Sequence, residues 1–285
     1  MTGPFVTRSM TVDDIATGVR LCRLSHWNQM EEDWATFLEL SPNGCRVIEI
    51  DRTVAGTVAT LRFAEQFSWV AMVLVDPAMR GRGIGTALLL EALGLLKNEK
   101  CVRLDATQFG ERIYRAQGFR EEYRLNRLVA QGHAKHFRAN GDSCTPMGSD
   151  DLKDVFRLDR RVYGADRSAL LRSFFRRAPE YAWIRKTGSS LAGYIFGRHG
   201  YNHEQLGPIV SDAEETAMEL VSCCMARHQT TSFVIDVPAN NLQWNQRLQN
   251  FGFALERSFV RMYYGSRVET EEVRSQFAIA GPEFG

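Results

Sequence analysis

The residues best suited to chemistry sit in one short stretch, Val75-Asp-Pro-Ala-Met-Arg80-Gly81-Arg82-Gly83-Ile84-Gly85-Thr86. Glycines let the backbone turn tightly so that its N–H groups converge. A turn that runs into a helix also gains about half a positive charge from the helix start. Arg80 and Arg82 add full charges, so the stretch is suited to holding a diphosphate. Two familiar phosphate loops do not fit. A Walker loop requires Lys immediately before Thr86, where Gly85 stands. A dinucleotide fingerprint requires a third Gly or Ala in place of Thr86, directly after the first strand of a βαβ unit.

Such a loop needs a strand before it and a helix after it, and the sequence supplies both. Residues 69–75 read Trp-Val-Ala-Met-Val-Leu-Val, as suits a buried central strand, and an apolar helix is expected from Gly83 or Gly85 to Leu96. Upstream, Asp13 or Asp14 opens an amphipathic helix to about Ser25, and a second helix over 31–40 stops at Ser41-Pro42-Asn43-Gly44. Residues 46–51 and 54–63 are β-branched runs around the turn Asp51-Arg52. Downstream come a strand over 101–106, a short helix over 111–116 ending at Gly118, and a last strand. This order predicts a mixed, mostly antiparallel, twisted α/β sheet flanked by helices.

The whole unit occurs twice. Met10-Thr-Val-Asp13-Asp14-Ile15 with Arg20, Leu21 and Arg23 recurs as Met147-Gly-Ser-Asp150-Asp151-Leu152 with Arg157, Leu158 and Arg160. Val54-Ala55-Gly56 recurs as Leu191-Ala192-Gly193, and Gly118-Phe119 with Arg127 recurs as Gly252-Phe253 with Arg261. So long a period indicates two tandem domains, 1–137 and 138–285, joined by a polar stretch with a boundary near residue 140.

The motif Arg80-x-x-Gly83-x-Gly85 after Val75-x-Pro77 resembles the acetyl-CoA signature of the GNAT superfamily of N-acetyltransferases. Ile113-Tyr114-Arg-Ala-Gln-Gly118-Phe119 resembles that family's Leu-Tyr-x-x-x-Gly-Phe segment, in the right order, so the likeness spans residues 45–125. It implies acetyl-CoA or another acyl-CoA as co-substrate, no metal, and direct transfer to a small-molecule amine in a ternary complex. Pantetheine would pair like an added strand with the backbone of Met72, Val73, Leu74 and Val75. The pyrophosphate would rest on Arg80, Gly81, Arg82, Gly83, Ile84, Gly85 and Thr86, with an N–H near Val73 as oxyanion donor. Tyr114 aligns with the family's tyrosine that protonates the departing thiolate, a phenol of pKa about 10 facing a thiol of about 8.5.

Many relatives carry a general base on the strand before the loop, but residues 68–75 hold no carboxylate. Asp105, on the strand beside the opening, is the expected base, since burying a carboxylate without a role or partner is costly. The alternative is an ion pair with Arg103 or Arg112. Trp27, Glu31 and Trp69 fall near the expected acceptor opening, although large aromatics also fill cores. The missing strand carboxylate leaves two rival readings, a non-catalytic acyl-CoA-binding module and an acyl-CoA hydrolase or decarboxylase.

In the second copy the counterpart of the loop reads Leu206-Gly-Pro-Ile-Val-Ser-Asp212-Ala-Glu214-Glu215, with carboxylates that would repel a diphosphate. This half, over 147–265, resembles the degenerate GNAT-like domain that follows a complete one in some proteins, so one acyl-CoA per chain is expected. His199, His203 and Glu204 come from one short loop and read as solvated, not as metal ligands. With 35 Lys plus Arg against 34 Asp plus Glu among 285 residues, no field gathers a nucleic acid. The start of the sequence lacks a signal-like apolar core and the longest apolar run is broken by Glu91, so a cytoplasmic protein without a membrane partner is expected. The six scattered cysteines are expected to be reduced, and a homodimer is allowed.

Overall fold

The computed structural model describes residues 5–63, 66–131, 144–228, 231–268 and 273–285. The first half runs β1 (Val6–Ser9), α1 (Ile15–Leu24), α2 (Glu31–Leu40), β2 (Arg46–Ile50), β3 (Thr53–Phe63), β4 (Phe67–Val75), α3 (Ile84–Leu95), β5 (Cys101–Ala106), α4 (Gln108–Ala116) and β6 (Arg120–Ala130). The second runs β7 (Cys144–Pro146), α5 (Leu152–Tyr163), α6 (Ser168–Arg177), β8 (Trp183–Thr187), β9 (Ser190–Arg198), β10 (Glu204–Ser211), α7 (Glu214–Ala226), β11 (Phe233–Pro238), α8 (Leu242–Phe251) and β12 (Ala254–Gly265), then adds β13 (Gln276–Ala278). The elements α1, α2, β2, β3 and β4 each begin 137 residues before their counterparts, so the repeat is structural. The boundary expected near residue 140, between 137 and 138, lies outside the described residues. The repeated Ala-Gly pair has a packing cause. A Cβ at Gly56 would stand 2.7 Å from the Leu74 carbonyl oxygen, and one at Gly193 would stand 2.9 Å from that of Val210.

All thirteen strands form one mixed, mostly antiparallel sheet in the order β1-β2-β3-β4-β5-β12-β6-β11-β10-β9-β8-β7, with β13 beside β10. Under exchange of the halves this order maps onto itself. At its centre the last strands have changed places: β5 of the first half is closed by β12, and β11 of the second by β6. The two exchanged strands also pair with each other, from Ala254 opposite Val129 to Tyr263 opposite Arg120.

Each exchange is marked by an ion pair between directly opposed residues. Arg261 of β12 faces Asp105 of β5, and its Nε and Nη2 donate to the two carboxylate oxygens at 2.8 Å each. Arg127 of β6 faces Asp236 of β11 with the same two distances. The side chains of both pairs are buried. A second contact near the pseudo-twofold joins Thr36 of α2 and Ser173 of α6, repeat equivalents whose hydroxyl oxygens lie 3.3 Å apart. Three apolar clusters follow this plan. One lies under α3 in the first half and one under α7 in the second. The third is shared, with Trp34, Phe37 and Phe67 of one half packed among Tyr163, Phe174 and Phe196 of the other. The six cysteines are buried.

Removing one partner of a buried ion pair strands the other, which costs about 3–5 kcal/mol. Arg261→Ala should therefore lower the urea midpoint by that equivalent, while Asp105→Leu combined with Arg261→Met should recover most of it. An unshifted midpoint in Arg261→Ala would remove the pair as a support of the sheet.

Candidate active site

The glycine stretch lies between β4 and α3. Asp76 begins it by accepting from the Ala78 N–H at 3.0 Å and from Arg20 at 2.8 Å. Gly81 and Gly83 then take φ of 78° and 81°, a region that side chains with a Cβ rarely adopt. Gly83 is the N-cap of α3 and offers no side-chain cap, so the first N–H groups of the helix stay open. Arg80 and Arg82 are exposed and make no ion pair among the described residues; Arg80 donates to the Val75 carbonyl at 3.3 Å. An uncapped helix start flanked by the Arg80 and Arg82 guanidinium groups suits an anion.

Beside the loop the sheet opens. The parallel ladder between β4 and β5 covers only Ser68 with Val102 and Trp69 with Arg103. Beyond it, Met72 has φ 54° and the register against β3 shifts, so β4 turns away from β5. Thr57 holds the Met72 carbonyl at 2.8 Å. The side of β4 that faces β5 is left with backbone groups for a strand-like ligand.

The opening leads into a cleft. Trp27 and Gln29 from the α1–α2 connection, Met72 and Val73 of β4, Asp105 and Thr107 at the end of β5, and Tyr114 of α4 line one side. The exchanged strands add Arg127, Arg257 and Phe259, and the last segment adds Pro282 and Glu283. Tyr114 is half-buried, and desolvation pushes its phenol up to about 12.

Three sequence expectations change here. The partner of Asp105 is Arg261, not Arg103 or Arg112; Arg103 pairs instead with Glu122 at 2.7 Å. Burial pushes the Asp105 carboxyl up against the pull of Arg261, but both of its oxygens already accept from that guanidinium, which places them poorly to take a proton. Trp69 is fully buried and does not line the cleft, because its indole packs in the core and donates to the Pro282 carbonyl at 3.1 Å. Glu31 is exposed at the start of α2 and is likewise absent from the lining, while Trp27 is present.

In the second half the corresponding opening is filled. The ladder of β10 and β11 covers Glu204 to Leu206, and β13 enters beyond it, with Ile209 opposite Ala278 and Val210 opposite Gln276. The Ile279 N–H donates to the Asp236 carbonyl of β11 at 3.0 Å, so the segment bonds to both walls. The stretch expected to replace the glycine loop is mostly strand, since β10 extends to Ser211 and α7 starts at Glu214. Glu214 and Glu215 each accept from Arg247 at 3.2 Å. Counting from the shared Gly-Phe, the position of Tyr114 is taken by the buried Leu248. His199 bridges Glu204 at 2.8 Å and Glu180 at 3.2 Å, and no group of three or more metal-ligating side chains occurs among the described residues.

From the filled slot the chain continues to the open one. Arg198 holds the Ala280 carbonyl and the Glu283 carboxylate, Arg167 donates to the Gly285 carbonyl at 2.8 Å, and Phe284 stacks on Phe37 at 4.8 Å. Sequence reading missed this segment because it belongs to no repeat. The available signal was the apolar run Phe277-Ala-Ile-Ala280 beyond the second unit's last strand.

Comparisons with known proteins agree with this geometry. The family model described as acetyltransferase (GNAT) family matches residues 16–119, and that described as acetyltransferase (GNAT) domain matches 155–278. The chain is similar to holothin acyltransferase of Pseudoalteromonas sp., 25% identical over 260 residues that cover 91% of this chain and 87% of that one. A crystal structure from Pyrococcus horikoshii described as an acetyltransferase superposes with a TM-score of 0.83 at 21% identity, covering 100% and 97% of the two chains. A tandem GNAT protein from the clavulanic acid biosynthesis pathway superposes with 0.68 at 14% identity, covering 93% and 100%. These last two likenesses concern the fold.

Proposed function

Because this chain belongs to the GNAT superfamily, as an acyltransferase with two GNAT domains in tandem, we propose that its first half moves an acetyl or other short acyl group from coenzyme A to a small-molecule amine. The observation that carries this reading is the junction of the open β4 backbone, the uncapped α3 start with Arg80 and Arg82, and a cleft reaching Tyr114. Pantetheine would lie along Met72 to Val75, and the pyrophosphate on the turn from Arg80 to Thr86. A relative named as a holothin acyltransferase supports a small-molecule acceptor.

Tyr114 then faces the departing sulfur. Desolvation holds its phenol protonated, at about 12. Tyr114 therefore acts by donating a hydrogen bond to the developing thiolate, which takes its proton from solvent after leaving.

Thiol release from acetyl-CoA across an amine panel tests the reaction. Release that depends on an acceptor is expected; release without one would indicate hydrolysis or decarboxylation, and tight binding without release would indicate a binding module. Tyr114→Phe should lower kcat while leaving acyl-CoA affinity within about twofold, because the hydroxyl acts mainly in the transition state. In a calorimetric titration one acyl-CoA per chain is expected, since β13 occupies the second slot, and a stoichiometry of two would refute this. In the same titration Arg80→Glu should weaken binding by about 2 kcal/mol, about 30-fold, through loss of a charge-assisted contact. Unchanged affinity would move the pyrophosphate elsewhere.

A further inference from the structure

The amine that attacks the thioester must lose a proton, and no carboxylate on β4 can take it. Eight buried side-chain polar atoms lack a hydrogen-bond partner among the described residues. Two of them, Gln29 Oε1 and Glu283 Oε2, belong to residues lining this one cleft, as does a third, Arg257 Nε, whose ion-pair partner Glu256 stands at 3.5 Å. A buried polar group left unpaired is costly, so two unpaired oxygens on residues of one lining mark a place made for a polar ligand. Only one of the three is a carboxylate. Glu283 is 3% exposed, Arg198 occupies its Oε1, and its Oε2 is free. Asp105, the other carboxylate in the lining, has both oxygens engaged by Arg261.

Resting on the reading of the first half as an amine acyltransferase, we propose that Glu283 is the general base, accepting a proton at Oε2 from the attacking nitrogen. The nitrogen lone pair forms the N–C bond to the thioester carbonyl while one N–H proton passes to Oε2. Collapse of the tetrahedral intermediate breaks the C–S bond, whose electron pair leaves as thiolate. The thiolate takes a proton from solvent, and Glu283 returns its proton to solvent. Gln29 brings a second unpaired acceptor oxygen to the same lining.

The surroundings make this carboxylate a stronger base than an exposed one. Burial pushes the Glu283 carboxyl above its ordinary value, Asp33 of α2 pushes the same way, and Arg198 of β9 and Arg127 of β6 pull it down, leaving it raised. Cys22 of α1 also lies within its field, as a thiol held neutral because desolvation pushes it up to about 12. The active form is the carboxylate, so the rate falls as pH drops through this raised value.

Glu283→Gln keeps the shape and an oxygen for Arg198 but removes the base. It should lower kcat about 100-fold or more, abolish the acidic limb of the pH profile, and leave calorimetric acetyl-CoA affinity unchanged. Glu283→Asp should retain that limb at reduced rate. Unchanged kcat with an unchanged limb in Glu283→Gln would overturn the assignment, and so would loss of rate in Glu283→Gln with the limb intact, which would indicate a structural role. If the wild-type protein binds acetyl-CoA but acylates no amine, the amine reading itself fails and this proposal falls with it.

Discussion

Two buried guanidinium–carboxylate pairs at the centre of the sheet, Arg261 with Asp105 and Arg127 with Asp236, are what the rest of the molecule leans on. Each ties a strand of one half to its neighbour in the other, and each would leave several kcal/mol of unpaired charge if broken. The first pair also shapes the active site. The Arg261 guanidinium lies 4.7 Å over the Trp69 ring and donates to the Tyr123 hydroxyl at 2.6 Å. Trp69 in turn holds Pro282, so the position of Glu283 depends on the pair through one indole. The pairs do not by themselves select the exchanged arrangement, because β6 and β12 are repeat equivalents and Arg127 in a self-closed first half would face Asp105. The ladder between β6 and β12 and the shared core exist only with the strands exchanged.

This symmetry explains what the sequence disclosed and what it concealed. The glycine loop was legible because a left-handed turn into a helix start needs particular residue types at fixed spacing, and the helix over 31–40 and strand over 101–106 because their periodicity and punctuation are local. The repeated Arg127 and Arg261 were visible as a recurring position, but their partners were not. A strand that fits either copy equally well carries no mark of which copy it joins. The partner expected for Asp105 was therefore sought nearby in sequence and found 156 residues away. Residues 276–285 lay outside every pattern, because their fit is to walls built by both halves.

The two halves share one plan and have diverged in chemistry. In the first, β4 leaves β5 after Trp69, and the gap is flanked by free cations and a phenol. In the second, the gap is flanked by Glu214 and Glu215, already paired with Arg247, and by a leucine where the phenol would stand. Backbone geometry was kept while the groups that read the ligand were replaced. The second half has become a wall and an anchor, supplying Arg257 and Phe259 to the cleft and Arg198 to Glu283.

The seating of β13 in the vacant slot also bears on competition. A segment tethered by a short connection is presented to its site at an effective concentration of about millimolar order, whatever the abundance of free molecules outside. A soluble thioester would have to overcome that local excess as well as the backbone bonds to Val210 and Asp236. The second slot is thus insulated from fluctuations in the acyl-donor pool. The same tether carries the onward residues to the first cleft, so part of the lining of one half is anchored in the other.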